Sequence, residues 1–185
     1  MKISTDFTIA LPPQEAYRFL LDVEQVAPCV PGGELGSAAA DGSYPAKVTV
    51  RLGPMRLRYD GSLWISEQDD ASRRAILRAK ARETGAHGSL EASMTMHVTP
   101  NGEGSRVDVL TELALAGRAA RMGRGIVDEV VRRLVSDMAS CLEQRLGDQG
   151  DGLELPAAVP QISGIKLLLR AVAERLGRIG RKGER

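Results

Sequence analysis

Aromatic side chains are scarce in this chain of 185 residues, which contains two Phe, three Tyr and one Trp. Large rings supply much of the volume of an ordinary protein core. A core built mainly from Ala, Val, Leu and Met can fall short of normal packing density and keep apolar cavities open. The composition therefore favours a hollow interior. The alternative is a sheet that flattens onto its helix and leaves no void.

An excess of charge of one sign is also lacking, because 25 Lys and Arg stand against 24 Asp and Glu, for a formal net charge of +1. No overall field therefore points to nucleic acid as a partner. The balance is uneven along the chain, since residues 165–185 are strongly basic and the remainder is acidic. An acidic body with a basic tail is typical of a protein that uses the tail for an interaction.

Long apolar runs are missing. No stretch approaches the eighteen or so consecutive apolar residues of a membrane-spanning helix, and the first residues do not resemble a signal peptide. We therefore expect a cytoplasmic protein. The two cysteines, Cys29 and Cys141, fall on very different predicted elements, so we expect no disulfide framework.

Catalytic and metal-binding motifs are missing as well. The sequence contains no G-x-S-x-G, Walker A or C-x-x-C motif. His87 and His97 lie on one predicted strand, and their ten-residue separation spans roughly 33 Å, too far to share a metal ion. The glycines at 117, 123 and 125 precede a terminal helix rather than sit in a βαβ unit, so they do not indicate dinucleotide binding. The sequence thus predicts a protein that is not an enzyme.

What the chain does contain is a series of segments in which apolar and polar residues alternate with the period of a half-buried strand. The alternating runs are 3–9, 44–52, 55–65, 75–81, 90–98 and 107–115. Pro12 and Pro13 open a short helix after the first run, and Asp22 is expected to cap a second. Pro31, Gly32 and Gly33 predict a turn. The expected order is strand, two short helices and about six antiparallel strands.

Residues 117–146 form the longest helical pattern in the sequence. Its apolar positions recur every three or four residues: Met122, Ile126, Val127, Val130, Val131, Leu134, Met138, Cys141 and Leu142. One broad apolar face must be buried, and the preceding sheet is the only partner of suitable size. The predicted fold is therefore α+β, a helix-grip arrangement in which a curved antiparallel sheet wraps around a long C-terminal helix, with one domain at residues 1–146.

The inside of such a grip is the expected binding site. Small residues interleave with larger ones on the inward positions, and flexible methionines suit an adaptable wall. Strand parity and helix phase predict a ligand-binding pocket lined by Tyr44, Tyr59, Leu90, Met94, Met96, Val109, Leu113, Val130, Leu134 and Met138. A shift of one residue in register would turn a strand's set of side chains to the other face.

The short segment Cys29, Val30, Pro31 and Gly32 has three interpretations from its residues alone. Cys29, held between two prolines, is a packed small side chain, a part of a docking surface or cavity rim, or a reactive thiol. No neighbouring residue supplies an obvious base, so a nucleophile is the least favoured of the three.

Several segments resemble the G-subunit family of carbon monoxide dehydrogenases, which belongs to the START-like, Bet v 1-like (SRPBCC) helix-grip proteins. They are Ala27–Gly32 after the amphipathic run 16–22, Leu52-Gly53-Pro54 with Tyr59-Asp60-Gly61, Ser105-Arg106-Val107, and Gly117–Arg124. The resemblance covers residues 1–146. It implies a non-catalytic accessory protein of an aerobic, molybdenum-containing carbon monoxide dehydrogenase or related hydroxylase, associated with recruitment of that enzyme to the membrane. The cofactors of the reaction would belong to the partner, and Cys29–Gly32 would lie near the surface that docks it.

The tail extends past this resemblance. Residues 147–161 are rich in acidic residues, Gly and Pro and predict a flexible linker, and residues 162–185 predict a basic amphipathic helix. Its expected contacts with anionic lipids are Ile165, Lys166, Leu168, Leu169, Arg170, Val172, Leu176, Arg178 and Ile179. A groove on a partner protein and docking onto the body of this chain are the alternatives.

An apolar cavity combined with a membrane-surface helix predicts a carrier of a membrane lipid. In the context of the resemblance the ligand would be a respiratory quinone, menaquinone or ubiquinone, bound without covalent attachment by a protein at the inner face of the cell membrane. A ligand-free membrane adaptor and a binder of another apolar small molecule are the alternatives. A cyclase-like or hydrolase-like enzyme would need polar groups inside the cavity, where parity places Tyr44, Tyr59 and Thr111.

Overall fold

The computed structural model describes residues 1–52 and 54–149. The strands in this part of the chain are β1 Lys2–Ile9, β2 Gly33–Leu35, β3 Tyr44–Leu52, β4 Met55–Asp69, β5 Arg74–Glu83, β6 Ser89–Asn101 and β7 Gly104–Ala116. The α-helices are α1 Pro13–Leu21, α2 Val23–Val26 and α3 Arg124–Gln149. Short 3-10 turns occupy Ala27–Cys29 and Ala119–Met122.

The strands form one antiparallel sheet in the order β1-β7-β6-β5-β4-β3-β2. The order of elements along the chain confirms the predicted succession of a strand, two short helices, about six antiparallel strands and a long helix. Asp22 caps α2 as expected, because its side chain accepts a hydrogen bond from the Gln25 backbone N–H at 3.1 Å. The sequence pattern did not predict β2, which is only three residues long and follows directly on the predicted Pro-Gly turn.

The pairing register places the alternating apolar residues on one face of the sheet. Gly61 on β4 lies opposite Ala46 on β3 and Ala81 on β5. Ala81 in turn lies opposite Leu90 on β6. Since side chains alternate between the two faces of a strand, the predicted inward positions of neighbouring strands lie on the same face of the sheet. The alternation on β4 is interrupted between Ile65 and Glu67, where the register with β5 shifts.

Helix α3 packs against this face and contacts both β1 and β3. Its most buried residues are Val127, Ala139 and Leu142. Ile126, which was predicted on the buried face, is instead 39% exposed, because it lies in the first turn of α3, where the buried face begins with Val127.

The bounds of the long helix also differ from those predicted. The α-helix begins at Arg124, after a 3-10 turn and a Gly123 with φ of +80°, rather than at residue 117. At its other end it runs to Gln149, so the first three residues of the predicted linker are helical. The remainder of the predicted linker and the predicted membrane helix at 162–185 lie outside the described residues.

The expectation of no disulfide is wrong. Cys29 and Cys141 are bonded to each other, with their Cα atoms 5.4 Å apart. The fold brings the 3-10 turn that contains Cys29 against α3, which joins residues separated by 112 positions in the chain. The positions of the two cysteines in the sequence therefore could not show that they lie close together in the fold.

Within the described part of the chain, none of the helices combines the length and the apolar character needed to cross a membrane.

Candidate functional site

The buried core consists of two separate clusters, one at each end of the concave face. The first, named here the α1 cluster, includes Tyr17 on α1, Met96 and Val98 on β6, Val107 on β7 and Leu142 on α3. The second, named here the Tyr59 cluster, has four buried members: Leu52, Leu57, Tyr59 and Ala119. Both clusters involve the concave face of the sheet together with α3 or the segment that leads into it.

Three rows of side chains cross the concave face from strand to strand, and Ala81, Leu90 and Leu115 of the first row pack against the Tyr59 cluster. Their inward residues on β3–β7 are Ala46, Gly61, Ala81, Leu90 and Leu115 in the first row, Tyr44, Leu63, Ala79, Ala92 and Leu113 in the second, and Ile65, Leu77, Met94 and Thr111 in the third. All except the buried Thr111 are half-buried. Inward residues that still reach solvent show that α3 does not fill the space above them. We call this space the central hollow.

The small size of its central side chains explains the hollow. Gly61 has no side chain, and Ala79, Ala81 and Ala92 carry only a methyl group. Gly61 is also required sterically, because a Cβ at this position would lie 2.0 Å from the Lys80 carbonyl oxygen on the neighbouring strand. The same residue therefore allows the close approach of β4 and β5 and leaves the concave face open.

An open cleft of about 360 Å³ lies beside α3 at the β3 edge of the sheet. Its residues are Pro31, Gly32, Thr49, Val50, Arg51, Arg56, Val130, Arg133, Leu134 and Asp137. Gly32 has φ of +71°, and a Cβ there would lie 2.4 Å from the Thr49 carbonyl oxygen, so only glycine suits this corner. The cleft brings together two predicted pocket residues of α3, Val130 and Leu134, with two residues of the predicted docking segment, Pro31 and Gly32.

The other predicted pocket residues spread over the length of the concave face. Tyr59 and Leu90 lie in or against the Tyr59 cluster, as does Val130. The α1 cluster holds or contacts a further three: Met96, Val109 and Met138. Tyr44, Met94 and Leu113 lie in the rows between. The predicted residues therefore share one face, but the structure does not gather them around a single point.

The predicted docking segment divides between buried and accessible residues. Cys29 is 3% exposed and is held in the disulfide, so its thiol is neither free nor available at a docking surface. Val30 and Pro31 are half-buried and Gly32 is exposed. Of the three interpretations of Cys29, the structure supports a packed structural residue, now with a covalent partner that the sequence pattern did not predict.

Glu83 is a buried polar residue that the sequence pattern did not single out, and its exposed partner Arg118 was not singled out either. Glu83 is 3% exposed, and its Oε1 accepts a hydrogen bond from Arg118 Nε at 3.0 Å and a second from Nη2 of the same guanidinium. The signal for Glu83 was present, because the inward parity of Ala75 to Ala81 continues to residue 83. The alternation along β5 therefore places the Glu83 carboxylate on the concave face, where Tyr44, Tyr59 and Thr111 were already predicted.

Tyr59 lies directly opposite Glu83 on the neighbouring strand. Its side chain is 1% exposed. Burial raises the pKa of the Tyr59 hydroxyl above its usual value, and the negative charge of Glu83 raises this pKa further. Among the described residues, neither the Tyr59 hydroxyl nor Glu83 Oε2 has a hydrogen-bond partner.

Residues 1–52 and 54–149 contain no group of three or more His, Cys, Asp or Glu side chains arranged to bind a metal ion. His87 and His97 are both exposed.

Several solved structures share this fold. A conserved protein from Geobacillus kaustophilus superposes with a TM-score of 0.70 at 16% identity, over 80% of this chain and 97% of the other. The ZhuI aromatase/cyclase from Streptomyces sp. R1128 gives 0.54 at 15% identity, over 80% and 94%. Ara h 8.0201 gives 0.56 at 16% identity, over 80% and 98%. At these identities the likeness establishes the fold alone, the helix-grip fold of Bet v 1-like and cyclase-like proteins.

Sequence comparison identifies the family. No curated protein sequence matches the chain. The family model described as the G subunit of carbon monoxide dehydrogenase (CoxG), in contrast, matches residues 6–147, which span the sheet and almost all of α3. The chain therefore belongs to the CoxG family of carbon monoxide dehydrogenase subunits.

Proposed function

We propose that this protein is a non-catalytic accessory protein of an aerobic, molybdenum-containing carbon monoxide dehydrogenase or a related hydroxylase. In this role it binds a respiratory quinone, menaquinone or ubiquinone, in the central hollow and links the enzyme to the inner face of the cell membrane. Family membership supports the accessory role. The redox cofactors of the reaction would then reside in the partner enzyme.

The observation that carries the proposal is the set of half-buried rows on the concave face. In the middle row, Leu63, Ala79, Ala92 and Leu113 present an apolar surface with little side-chain volume at its centre. Apolar surface that stays accessible in the absence of a guest gains about 25 cal/mol for each Å² that a guest covers. The hydrocarbon part of an apolar guest is what such a surface accommodates.

The cleft beside α3 supplies a way in. Val130 and Leu134 line it from α3 and Val50 from β3, so its walls are apolar where they approach the concave face. Arg51, Arg56 and Arg133 lie at the same cleft and are exposed. An apolar guest could pass between the helix and the sheet edge here without separation of any paired strands.

Mass spectrometry of organic extracts from the purified full-length protein tests the proposal. We expect co-purified quinone in the wild type and its loss in Ala92→Trp, because the indole would fill the centre of the hollow. Ser93→Trp is the matched control, since the adjacent side chain points to the opposite face of β6, and it should retain quinone.

Absence of quinone from the wild type after expression in a quinone-containing host would overturn the carrier role. An Ala92→Trp protein with undiminished quinone would place the ligand elsewhere. A wild type without quinone that still recruits the dehydrogenase to membranes would favour the ligand-free adaptor.

A further inference from the structure

Two residues paired across neighbouring strands at one end of the concave face each carry a buried polar atom that lacks a hydrogen-bond partner among the described residues. The Tyr59 hydroxyl and Glu83 Oε2 belong to residues directly opposite each other on β4 and β5. These two residues are 1% and 3% exposed, respectively. An unsatisfied buried polar group destabilises the folded protein, and more so when the group is charged. Two such groups on paired residues therefore lower the stability of the fold unless a bound molecule completes their hydrogen bonds.

Arg118 donates hydrogen bonds to only one of the two oxygens of the Glu83 carboxylate. Its guanidinium donates both of its hydrogen bonds to Oε1, and Oε2 receives none from the described residues. Gly88 leaves room for this oxygen, because a Cβ on residue 88 would lie 2.3 Å from Oε2. Arg118 therefore fixes the carboxylate through one oxygen, and Oε2 is a buried hydrogen-bond acceptor that receives no hydrogen bond from the described residues.

The polar pair occupies the same face of the sheet as the central hollow, one inward position beyond its first row. The next inward residues along β4 and β5 are Gly61 and Ala81, and Ala46 completes this row on β3. None of these three has a side chain longer than a methyl group, so no large side chain on these three strands separates the pair from the middle of the hollow. The distance from the pair to the middle row is four residues along a strand, about 14 Å.

We propose that Tyr59 and Glu83 bind the polar head of the guest and select a head that carries a hydroxyl over one that carries only carbonyl oxygens. This inference rests on the proposed function. The Tyr59 hydroxyl donates a hydrogen bond to an oxygen of the guest. Glu83 Oε2 accepts one from a hydroxyl hydrogen of the guest. A ring hydroxyl satisfies both residues at once.

A head with carbonyl groups alone satisfies only half of this site. Its oxygen accepts from Tyr59, but it offers no hydrogen to the Glu83 carboxylate, and the two acceptors repel each other. Hydrogen bonds to charged groups are about twice as strong as neutral ones. The bond to the Glu83 carboxylate, which such a head cannot make, is therefore the stronger of the two bonds that the site offers. For a quinone this means that the reduced, hydroxyl-bearing form binds more tightly than the oxidised form.

The test compares 1-naphthol, which carries a ring hydroxyl, with menadione, which carries only carbonyl groups. Isothermal titration calorimetry with the full-length protein should give a dissociation constant for 1-naphthol at least about tenfold lower than that for menadione. Glu83→Gln should reduce this ratio to near one, because the amide can donate to a carbonyl. Glu91→Gln on the exposed face of β6 is the matched control and should leave the ratio unchanged.

Tyr59→Phe provides a second test in case Glu83→Gln does not fold. Loss of the donor should weaken menadione binding about tenfold. Equal affinities for the two probes in the wild type, or a ratio that Glu83→Gln does not alter, would overturn the inference and leave the proposed function standing. A wild type that binds neither probe would overturn both.

Discussion

At the scale of single residues, the interior of this protein depends on what certain positions lack. Gly61 and the alanines at 79, 81 and 92 hold the middle of the concave face, where larger side chains would fill the space under α3. The scarcity of aromatic residues in the whole chain agrees with this arrangement. The hollow is therefore produced by particular small residues rather than by an unusual backbone.

Gly61→Ala should destabilise the protein by about 1–3 kcal/mol, because the added methyl group meets the backbone of β5 and forces the two strands apart. The distance from this Cβ to the Lys80 carbonyl oxygen would be 2.0 Å. Urea unfolding followed by circular dichroism measures the change. Gly125→Ala in α3 is the control, since a Cβ there meets nothing within 4 Å and Ala favours a helix. A Gly61→Ala protein as stable as the control would contradict the steric argument.

The inward positions of the sheet could be predicted from the sequence, because alternation is a local property that survives folding. The polar site could be predicted only in part. Tyr59 was recognised as inward-facing, but Glu83 was not, because a carboxylate is rarely buried unless it is paired. Its partner Arg118 lies 35 residues further along the chain, so no local pattern joins the two.

At the scale of elements, the strands and the long helix follow their sequence patterns, and the differences occur where distant elements meet. The 3-10 turn at Ala27–Cys29 packs against α3 and is bonded to it through Cys141. Contacts of this kind depend on tertiary structure, and the spacing of two cysteines in a sequence does not reveal them. The same disulfide lies next to Val30 and Pro31, at the corner where the cleft opens.

Replacement of both cysteines by serine should lower the free energy of unfolding by about 2–4 kcal/mol, because the bond restricts the unfolded chain over a long loop. The sequence separation of the pair is 112 residues. Urea unfolding with and without dithiothreitol measures the effect. The reductant should bring the wild type down to the stability of the double variant and leave the variant unchanged. A wild type that is insensitive to reductant would show that the bond adds no stability.

At the scale of the whole molecule, a half-buried apolar face and a basic segment predicted to be an amphipathic helix agree with the proposed role at a membrane. The body supplies a concave face with an open edge, and the segment 162–185 supplies seven of the basic residues of the chain. Ligand binding is proposed for the concave face and membrane contact for residues 162–185, so the two roles can be tested separately.

Arg170→Glu combined with Arg178→Glu should reduce binding to anionic vesicles by about tenfold or more, because each basic residue near an anionic surface contributes on the order of 1 kcal/mol. Flotation of the full-length protein with phosphatidylglycerol vesicles at low salt measures this binding. Arg78→Glu combined with Arg82→Glu, on the exposed face of β5, is the matched control for a change in total charge. If the tail variant floats as well as the wild type does, the segment does not bind the membrane through its charges.

The disulfide has a mechanical consequence. It closes residues 29–141 into a covalent ring, so that 28 residues precede the ring and 44 follow it. Tension applied to the two ends of the chain would pull β1 away from β7, but it would be transmitted across the sulfur–sulfur bond instead of along β2 to β7. Every strand that lines the central hollow, β3 to β7, lies inside the ring. Tension applied at the two ends of the chain would therefore not be carried by these strands.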